Sequence, residues 1–71
     1  MPENCAALID YIVELRKQHG MTQRELAQAA NLAQPAIARL ESKSATPQLD
    51  TFLKVLGALG HEIKVVPIES E

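Results

Sequence analysis

Residues 21–41 constrain the fold of this chain more than any other stretch, because they contain signals for a helix start, a helix end and a second helix start. Thr22 and Glu25 form a capping-box pattern, in which the threonine hydroxyl accepts a backbone N–H three residues on and the glutamate reaches back to the threonine amide. A helix is therefore expected to begin at Thr22 or Gln23. Asn31 tolerates a left-handed backbone, which predicts the end of this helix close to that residue.

A second helix is predicted directly after this turn, from about Pro35 to Glu41. Proline fits only the first turn of a helix, where its missing N–H is not needed. Apolar residues then resume the helical period at Leu32, Ala36, Ile37 and Leu40. Two short helices joined by a tight turn are the helix-turn-helix arrangement.

With these residues the sequence resembles the Cro/lambda-repressor-like (XRE) family of DNA-binding domains, and the likeness extends from about Leu8 to Gly60. It rests on Thr-Gln-x-x-Leu-Ala at residues 22–27 and on four later positions, Leu32, Ile37, Leu40 and Glu41. The resemblance implies an all-α, four-helix, lambda-repressor-like domain over residues 1–60, in which the second motif helix reads DNA.

Two residues of the turn depart from the family pattern. Asn31 stands where the family usually has glycine, and Ala33 stands where it usually has serine or threonine. An alanine cap costs about 1 kcal/mol relative to a hydroxyl cap. Because proline disfavours helical geometry in the residue before it, Gln34 is the alternative cap, and the second helix would then start one residue late.

The flanking helices are predicted from apolar spacing. In the first helix, Leu8, Ile12 and Leu15 form the core stripe, and Gly20 ends the helix. A second apolar row beside this stripe is interpreted either as a wider core or as a surface covered by another chain or by the C-terminal tail; it contains Cys5, Ile9 and Val13.

The fourth helix is expected to open at Pro47 and to close at Gly60. Gly57 lies inside it, which suggests close packing at that position. Its core residues are predicted at Leu49, Phe52, Leu53, Leu56 and Leu59.

Residues 61–71 are predicted to form a C-terminal strand and tail that dimerise, because the period changes over residues 61–69, where Ile63 and Val65 alternate with Glu62 and Lys64. This alternation predicts a C-terminal β-strand. Nothing else in the chain reads as a strand, so its backbone groups need a partner outside the fold, most simply the same strand of a second copy. The predicted dimer contacts are Ile63, Val65, Val66 and Ile68. Here the likeness narrows to HipB-like and HigA-like antitoxins, several of which end in such a strand.

Composition limits the chain to one small domain of 71 residues with net charge −2. The charge is unevenly distributed, because residues 16–43 carry five Lys or Arg against two Glu. A local basic face is what contact with phosphate requires. The single cysteine, without a secretory or transmembrane stretch, predicts a cytoplasmic protein that is nucleoid-associated when bound to DNA and has no membrane partner.

No pattern in the sequence predicts catalysis, a cofactor or a metal. The carboxylates are scattered, and Cys5, His19 and His61 match no metal-ligand spacing. The chain is therefore not expected to be an enzyme.

The resemblance implies two sets of DNA contacts. The base-reading candidates are Ala33, Gln34, Pro35, Ala36 and Arg39, and the phosphate candidates are Thr22, Gln23, Arg24, Lys43 and Ser44. Alternatives stay open for four of them: Thr22 as a cap only, Gln34 as a cap, Arg24 as a solvated charge, and Arg39 in an ion pair with a nearby carboxylate.

The implied function is that of a sequence-specific transcriptional repressor that binds a palindromic double-stranded DNA operator as a homodimer. More narrowly, the resemblance implies the antitoxin of a type II toxin–antitoxin pair, which represses its own operon and has a cognate toxin as protein partner. Two alternatives stay open: a stand-alone repressor of phage or mobile-element type, and a protein-interaction module that does not bind DNA.

Overall fold

The computed structural model describes residues 2–69. These residues form four helices and no β-strand, which confirms the predicted all-α, four-helix fold. The helices are α1 (Glu3–Gln18), α2 (Gln23–Ala29), α3 (Gln34–Ser42) and α4 (Leu49–Ala58). Helix α3 packs against both α1 and α2, and α4 packs against α2. None of these helices is long and apolar enough to cross a membrane.

The signals around α2 act as predicted. The Glu25 backbone N–H donates to Thr22 Oγ1 at 3.0 Å, and the Thr22 backbone N–H donates to Glu25 Oε1 at 2.8 Å, which completes the capping box. Asn31 adopts a left-handed backbone with φ 58°, and the next N–H, that of Leu32, bonds to the Ala27 carbonyl at 2.8 Å. The chain is thereby turned from α2 into the start of α3.

Helix α3 begins at Gln34, and Ala33 is its N-cap with no side-chain hydrogen bond. The alternative that Gln34 is the cap is therefore wrong, because its backbone is already helical. Pro35 lies in the first turn, as predicted. The helix continues one residue beyond Glu41 and ends at Lys43, which has a left-handed backbone with φ 60°.

Helix α1 begins after Pro2, its N-cap, which makes no side-chain hydrogen bond, and the start of α4 differs from the predicted one. Helix α4 begins after Gln48, so Pro47 lies in the preceding loop and does not open the helix.

One hydrophobic core joins the four helices, formed by Ile9, Ile12, Leu15, Leu26, Ala27, Ala30, Ile37, Leu40, Phe52, Val55, Leu56 and Leu59. In α1 the predicted core residues Ile12 and Leu15 are buried, but at the start of the stripe Ile9 is buried while Leu8 is 50% exposed. For Ile9 the wider-core interpretation is thus the right one. In α4, Leu49 and Leu53 are exposed and Val55 takes a core position instead.

The predicted C-terminal strand is absent from the single chain. After the His61 N–H, which bonds to the Leu56 carbonyl, residues 62–69 contribute no N–H to a backbone hydrogen bond within the described part of the chain. The physical reason is that a strand requires a neighbouring strand, and the rest of this chain is helical. The prediction extended to residue 71, and its last two residues lie outside the described part.

Gly57 is a point at which α4 can be stabilised. The residue is exposed, and a Cβ built on it meets no atom within 4 Å, so the expected close packing is wrong. Glycine in a helix interior costs about 1 kcal/mol relative to alanine. We therefore expect Gly57→Ala to raise the free energy of unfolding by about 0.5–1 kcal/mol, measured by urea denaturation at one fixed protein concentration.

Gly20→Ala is the matched control. Its Cβ would also meet nothing within 4 Å, but Gly20 has φ +68°, a conformation that alanine adopts only with strain. This variant should be destabilised. A Gly57→Ala protein no more stable than the wild type would contradict the prediction.

Candidate nucleic-acid interface

A partly buried polar cluster connects α1, α2 and α3. The Arg16 guanidinium donates twice to the Glu41 carboxylate, from Nε to Oε2 at 2.7 Å and from Nη2 to Oε1 at 3.1 Å. The third nitrogen, Nη1, donates to the Met21 carbonyl at 2.7 Å. Gln23 Nε2 donates to Glu41 Oε1 at 3.0 Å. We call these residues the Arg16–Glu41 cluster.

This cluster fixes how α3 lies relative to the two preceding helices. The side chains of Arg16 and Glu41 are only 13% and 7% exposed, so the two charges compensate each other where little water reaches them. A bidentate guanidinium–carboxylate pair also allows only a narrow range of geometries. The end of α1, the start of α2 and the end of α3 are therefore held in one arrangement.

The sequence contained a signal for this cluster that the prediction missed. Glu41 follows the buried Ile37 by four residues, and Arg16 follows the buried Ile12 by four. Residues at that spacing share a helix face, so both charges lie on the sides of their helices that face the core. A charge of each sign at such positions indicates a buried pair.

The base-reading candidates lie at the start and along the outer side of α3. Ala33, Gln34, Pro35 and Arg39 are exposed, and Ala36 is half-buried. Within residues 2–69 Arg39 makes no ion pair, so the alternative that a carboxylate holds it is not realised. Gln34 and Arg39 are thus both exposed and available to a ligand.

The phosphate candidates differ in what their side chains already contact. Thr22 is exposed and acts as the cap of α2, and Arg24 is an exposed charge without an ion-pair partner in the described residues. Gln23 is half-buried against Glu41. An amide nitrogen carries two N–H groups, so Gln23 keeps one for a further acceptor.

The loop after α3 contains the remaining two phosphate candidates. Lys43 Nζ forms an ion pair with Asp10 Oδ1 of α1 at 2.8 Å. The Ser44 hydroxyl oxygen lies 2.9 Å from that of Ser42, which in turn donates to the Arg39 carbonyl at 2.7 Å. These bonds order the loop, although Ser42, Lys43 and Ser44 all remain exposed.

An apolar groove of about 220 Å³ runs between α1, α4 and the C-terminal segment. It is lined by Cys5, Leu8, Ile9, Thr46, Pro47, Leu49, Phe52 and Ile63. Ile63 belongs to the segment predicted to dimerise, and beyond it Val65 and Ile68 are 96% and 95% exposed. The described part of the chain thus ends in apolar side chains that its own core does not cover.

Among residues 2–69, no three His, Cys, Asp or Glu residues are grouped closely enough to hold a metal ion. A short helix joined by a tight turn to a second helix with an exposed polar face is the arrangement of the helix-turn-helix class. A helix-turn-helix family model, HTH_3, matches residues 12–63. The chain therefore belongs to this helix-turn-helix family, of the Cro/lambda-repressor-like (XRE) type, which is a family of transcription regulators.

Two curated proteins are similar in sequence. An uncharacterized HTH-type transcriptional regulator from Haemophilus influenzae is 40% identical over 62 residues, which cover 87% of this chain and 63% of that protein. An immunity repressor protein from Bacillus phage phi105 is 36% identical over 55 residues, which cover 78% of this chain and 38% of that protein. This chain thus spans less than two thirds of the length of either relative.

Solved structures show the same fold. A chain of a toxin–antitoxin module from Streptococcus pneumoniae superimposes with a TM-score of 0.79 at 40% identity, covering 94% of this chain and 74% of that one. A chain of a HipA-HipB-O2-O3 complex superimposes with a TM-score of 0.83 at 26% identity, covering 97% of each chain. The likeness to HipB-type antitoxins that the sequence suggested is confirmed at the level of the fold.

The Arg16–Glu41 cluster can be tested through stability. Glu41→Gln keeps the shape of the side chain but leaves the Arg16 charge uncompensated. Breaking a fully buried pair costs about 3–5 kcal/mol, and we expect the lower end of that range because 13% of the Arg16 side chain is exposed. Urea denaturation of wild type and variant measures the difference.

The matched control is the second ion pair of the fold. Asp10 and Lys43 are 63% and 38% exposed, so Asp10→Asn should change the free energy of unfolding by no more than about 1 kcal/mol. Equal effects of Glu41→Gln and Asp10→Asn on stability would show that the cluster does not hold the helices together.

Proposed function

We propose that this chain is a sequence-specific DNA-binding transcriptional repressor that places α3 in the major groove. The observation that carries the proposal is that α3 is held firmly in the fold and still exposes polar side chains. Ile37, Leu40 and Glu41 anchor it in the core and in the Arg16–Glu41 cluster, while Gln34 and Arg39 are exposed. Membership of a family of transcription regulators supports the same conclusion.

Direct reading of bases is assigned to the exposed side of α3. A glutamine pairs with two atoms of adenine, and an arginine pairs with two atoms of guanine or binds a phosphate, so Gln34 and Arg39 are the specific readers. Ala33, Pro35 and Ala36 are small or apolar and fit against thymine methyl groups. With only two polar readers per helix, sequence-dependent DNA shape contributes to the choice of operator.

Phosphate contacts position the domain on either side of α3. Thr22, Gln23 and Arg24 at the start of α2 bind one phosphate group, where the helix N-terminus adds its own positive potential. Lys43 and Ser44 bind another from the loop after α3. The cap role of Thr22 is compatible with this function, because a hydroxyl oxygen that accepts one hydrogen bond keeps its own O–H for donation.

The proposal includes a homodimer in which residues 1–60 bind DNA and residues 61–71 join the two copies. Ile63, Val65, Val66 and Ile68 are exposed in the single chain, at 44%, 96%, 71% and 95%. The N–H groups of residues 62–69 make no backbone hydrogen bonds within the described part, so a ladder with the same segment of a second copy would satisfy them. Ile63 also lines the apolar groove, so the proposed dimer surface continues from this segment onto α1 and α4.

The finer proposal is an antitoxin that represses its own operon and binds a cognate toxin. Its support is the match to chains from a toxin–antitoxin module and from a HipA-HipB complex, the second of which this chain covers over 97% of its length. The likeness to a phage immunity repressor supports the alternative of a stand-alone repressor. Capture of one stoichiometric protein partner with the full chain distinguishes the antitoxin from the stand-alone repressor.

The first experiment measures binding of the full chain to its own upstream DNA across a salt series, beside a scrambled duplex of equal length. We expect preferential, salt-sensitive binding to the upstream DNA, since phosphate neutralisation releases counterions. Gln34→Ala and Arg39→Ala should each reduce the preference for the upstream DNA by about 1–3 kcal/mol, whereas Lys43→Ala should weaken binding to both duplexes alike.

Two outcomes would contradict this assignment. A change of base preference in Lys43→Ala would remove Lys43 from the phosphate contacts. The second outcome combines two results: the chain binds no duplex, and neither Gln34→Ala nor Arg39→Ala affects binding of its protein partner. These results would favour a protein-interaction module with the same fold.

The dimer is tested by Val65→Asp. Val65 is 96% exposed in the single chain, so the substitution removes no packing from the fold and should leave its secondary structure intact. If the segment pairs across two copies, the buried charge should weaken the dimer at least tenfold, measured by sedimentation equilibrium. The control is Lys64→Asp, at the neighbouring position predicted to point to the opposite side.

Deletion from His61 onward is the stronger version of the same test. It should produce a monomer or a much weaker dimer. A dimer of unchanged affinity in both Val65→Asp and the deletion would show that the two copies meet elsewhere.

A further inference from the structure

Lys43, a proposed phosphate contact, forms an ion pair with Asp10, whose negative charge repels phosphate. Lys43 follows the last residue of α3, and its Nζ lies 2.8 Å from Asp10 Oδ1, although the residues are 33 positions apart. Asp10 lies on α1, which is otherwise the scaffold behind the two motif helices. A carboxylate thus occupies the position beside the lysine that a DNA phosphate would take.

The surroundings of this pair allow it to exchange partners. The side chains are 38% and 63% exposed, and neither takes part in the Arg16–Glu41 cluster. Such pairs are solvated and weak, so a competing anion can replace the carboxylate without disturbing the core. Only the Lys43 side chain has to move in this exchange. The Lys43 backbone stays in its left-handed conformation, with φ 60°, which directs the chain into the loop.

We propose that Asp10 is a positioning residue that attenuates DNA affinity by holding Lys43 until a phosphate displaces it. This inference rests on the proposed function. In the free protein the carboxylate orients the lysine and neutralises its charge. In the complex the lysine binds phosphate, and the released carboxylate is left close to the negatively charged backbone. Both effects reduce the attraction that one basic residue would otherwise provide.

This role bears on a chain that carries a net charge of −2 and binds DNA through few basic residues. Lys43 can bind a DNA phosphate only after its ammonium group has left the Asp10 carboxylate. In a homodimer the exchange occurs at both half-sites. Asp10 therefore keeps non-specific affinity low, so that base contacts from α3 determine where the repressor stays.

The test is the salt dependence of DNA binding by the full-length Asp10→Asn protein. At low salt we expect the affinity to rise by about fivefold per protomer, the size of one unit-charge interaction at 4 Å in water. The slope of log affinity against log salt should be steeper than in the wild type, and the two curves should converge as screening increases. The gain should be equal on upstream and scrambled duplexes.

A double-mutant cycle separates the exchange from a simple change of charge. In a Lys43→Gln background, Asp10→Asn should lose most of its effect, because there is no ammonium group to release. Glu14→Gln is the matched control, since it removes one exposed negative charge from the same helix, one turn away, and makes no ion pair in residues 2–69. The proposed exchange is contradicted if Glu14→Gln raises DNA affinity as much as Asp10→Asn does. It is also contradicted if Asp10→Asn raises affinity equally in the Lys43→Gln background.

Separate measurements test whether the Asp10 variants fold and whether the wild type binds DNA. Circular dichroism should show unchanged helix content for Asp10→Asn, and Asp10→Ala, which places the best helix former at this position, is the second variant if Asn perturbs α1. If the wild type binds its upstream DNA but neither Asp10 variant changes affinity or slope, only this inference is overturned. If the wild type binds no duplex even at low salt, the proposed function fails and the inference fails with it.

Discussion

The arrangement of the helices depends on the Arg16–Glu41 cluster. Its two charges are partly buried, with side chains 13% and 7% exposed, and close hydrogen-bonded geometry compensates them there. The guanidinium satisfies the carboxylate of α3 and the carbonyl of Met21 at once, and Gln23 adds a bond from the start of α2. The apolar core packs the four helices together, and this cluster adds directional hydrogen bonds that join the end of α1, the start of α2 and the end of α3.

In that arrangement α3 buries its apolar residues and exposes polar ones. Ile37 and Leu40 lie in the core, whereas Gln34 and Arg39 are exposed beside small residues of the same helix. Because the alanine cap of α3 makes no side-chain hydrogen bond, the helix relies on its tertiary contacts rather than on its own start signal. A helix that the rest of the fold already holds in place needs no further ordering when its exposed side chains bind a ligand, which favours the proposed binding to DNA.

The C-terminal segment, unlike α3, forms no regular secondary structure over residues 61–69. Its sequence has strand-forming residues, but strand structure depends on hydrogen bonds to a neighbouring strand, and residues 2–69 contain none. The exposed apolar side chains of residues 63–68 and the groove on α1 and α4 leave apolar surface unburied. A domain this small gains much from burying such surface against a second copy, which is why dimer formation and DNA binding are proposed together.

The sequence alone determined the features that depend on residues within about four positions of one another. The Thr22–Glu25 capping box, the left-handed Asn31 and the place of Pro35 in the first turn are local interactions, so spacing was sufficient to predict them. Tertiary structure alone decided which of two adjacent apolar residues of α1 is buried, since that depends on how the whole helix rotates against its neighbours. It also decided the partners of Gln23 and Lys43 and the bonding geometry of the Arg16–Glu41 pair, because these contacts join residues that are distant in the chain. For that pair the sequence carried only the four-residue spacing of each charge from a buried isoleucine.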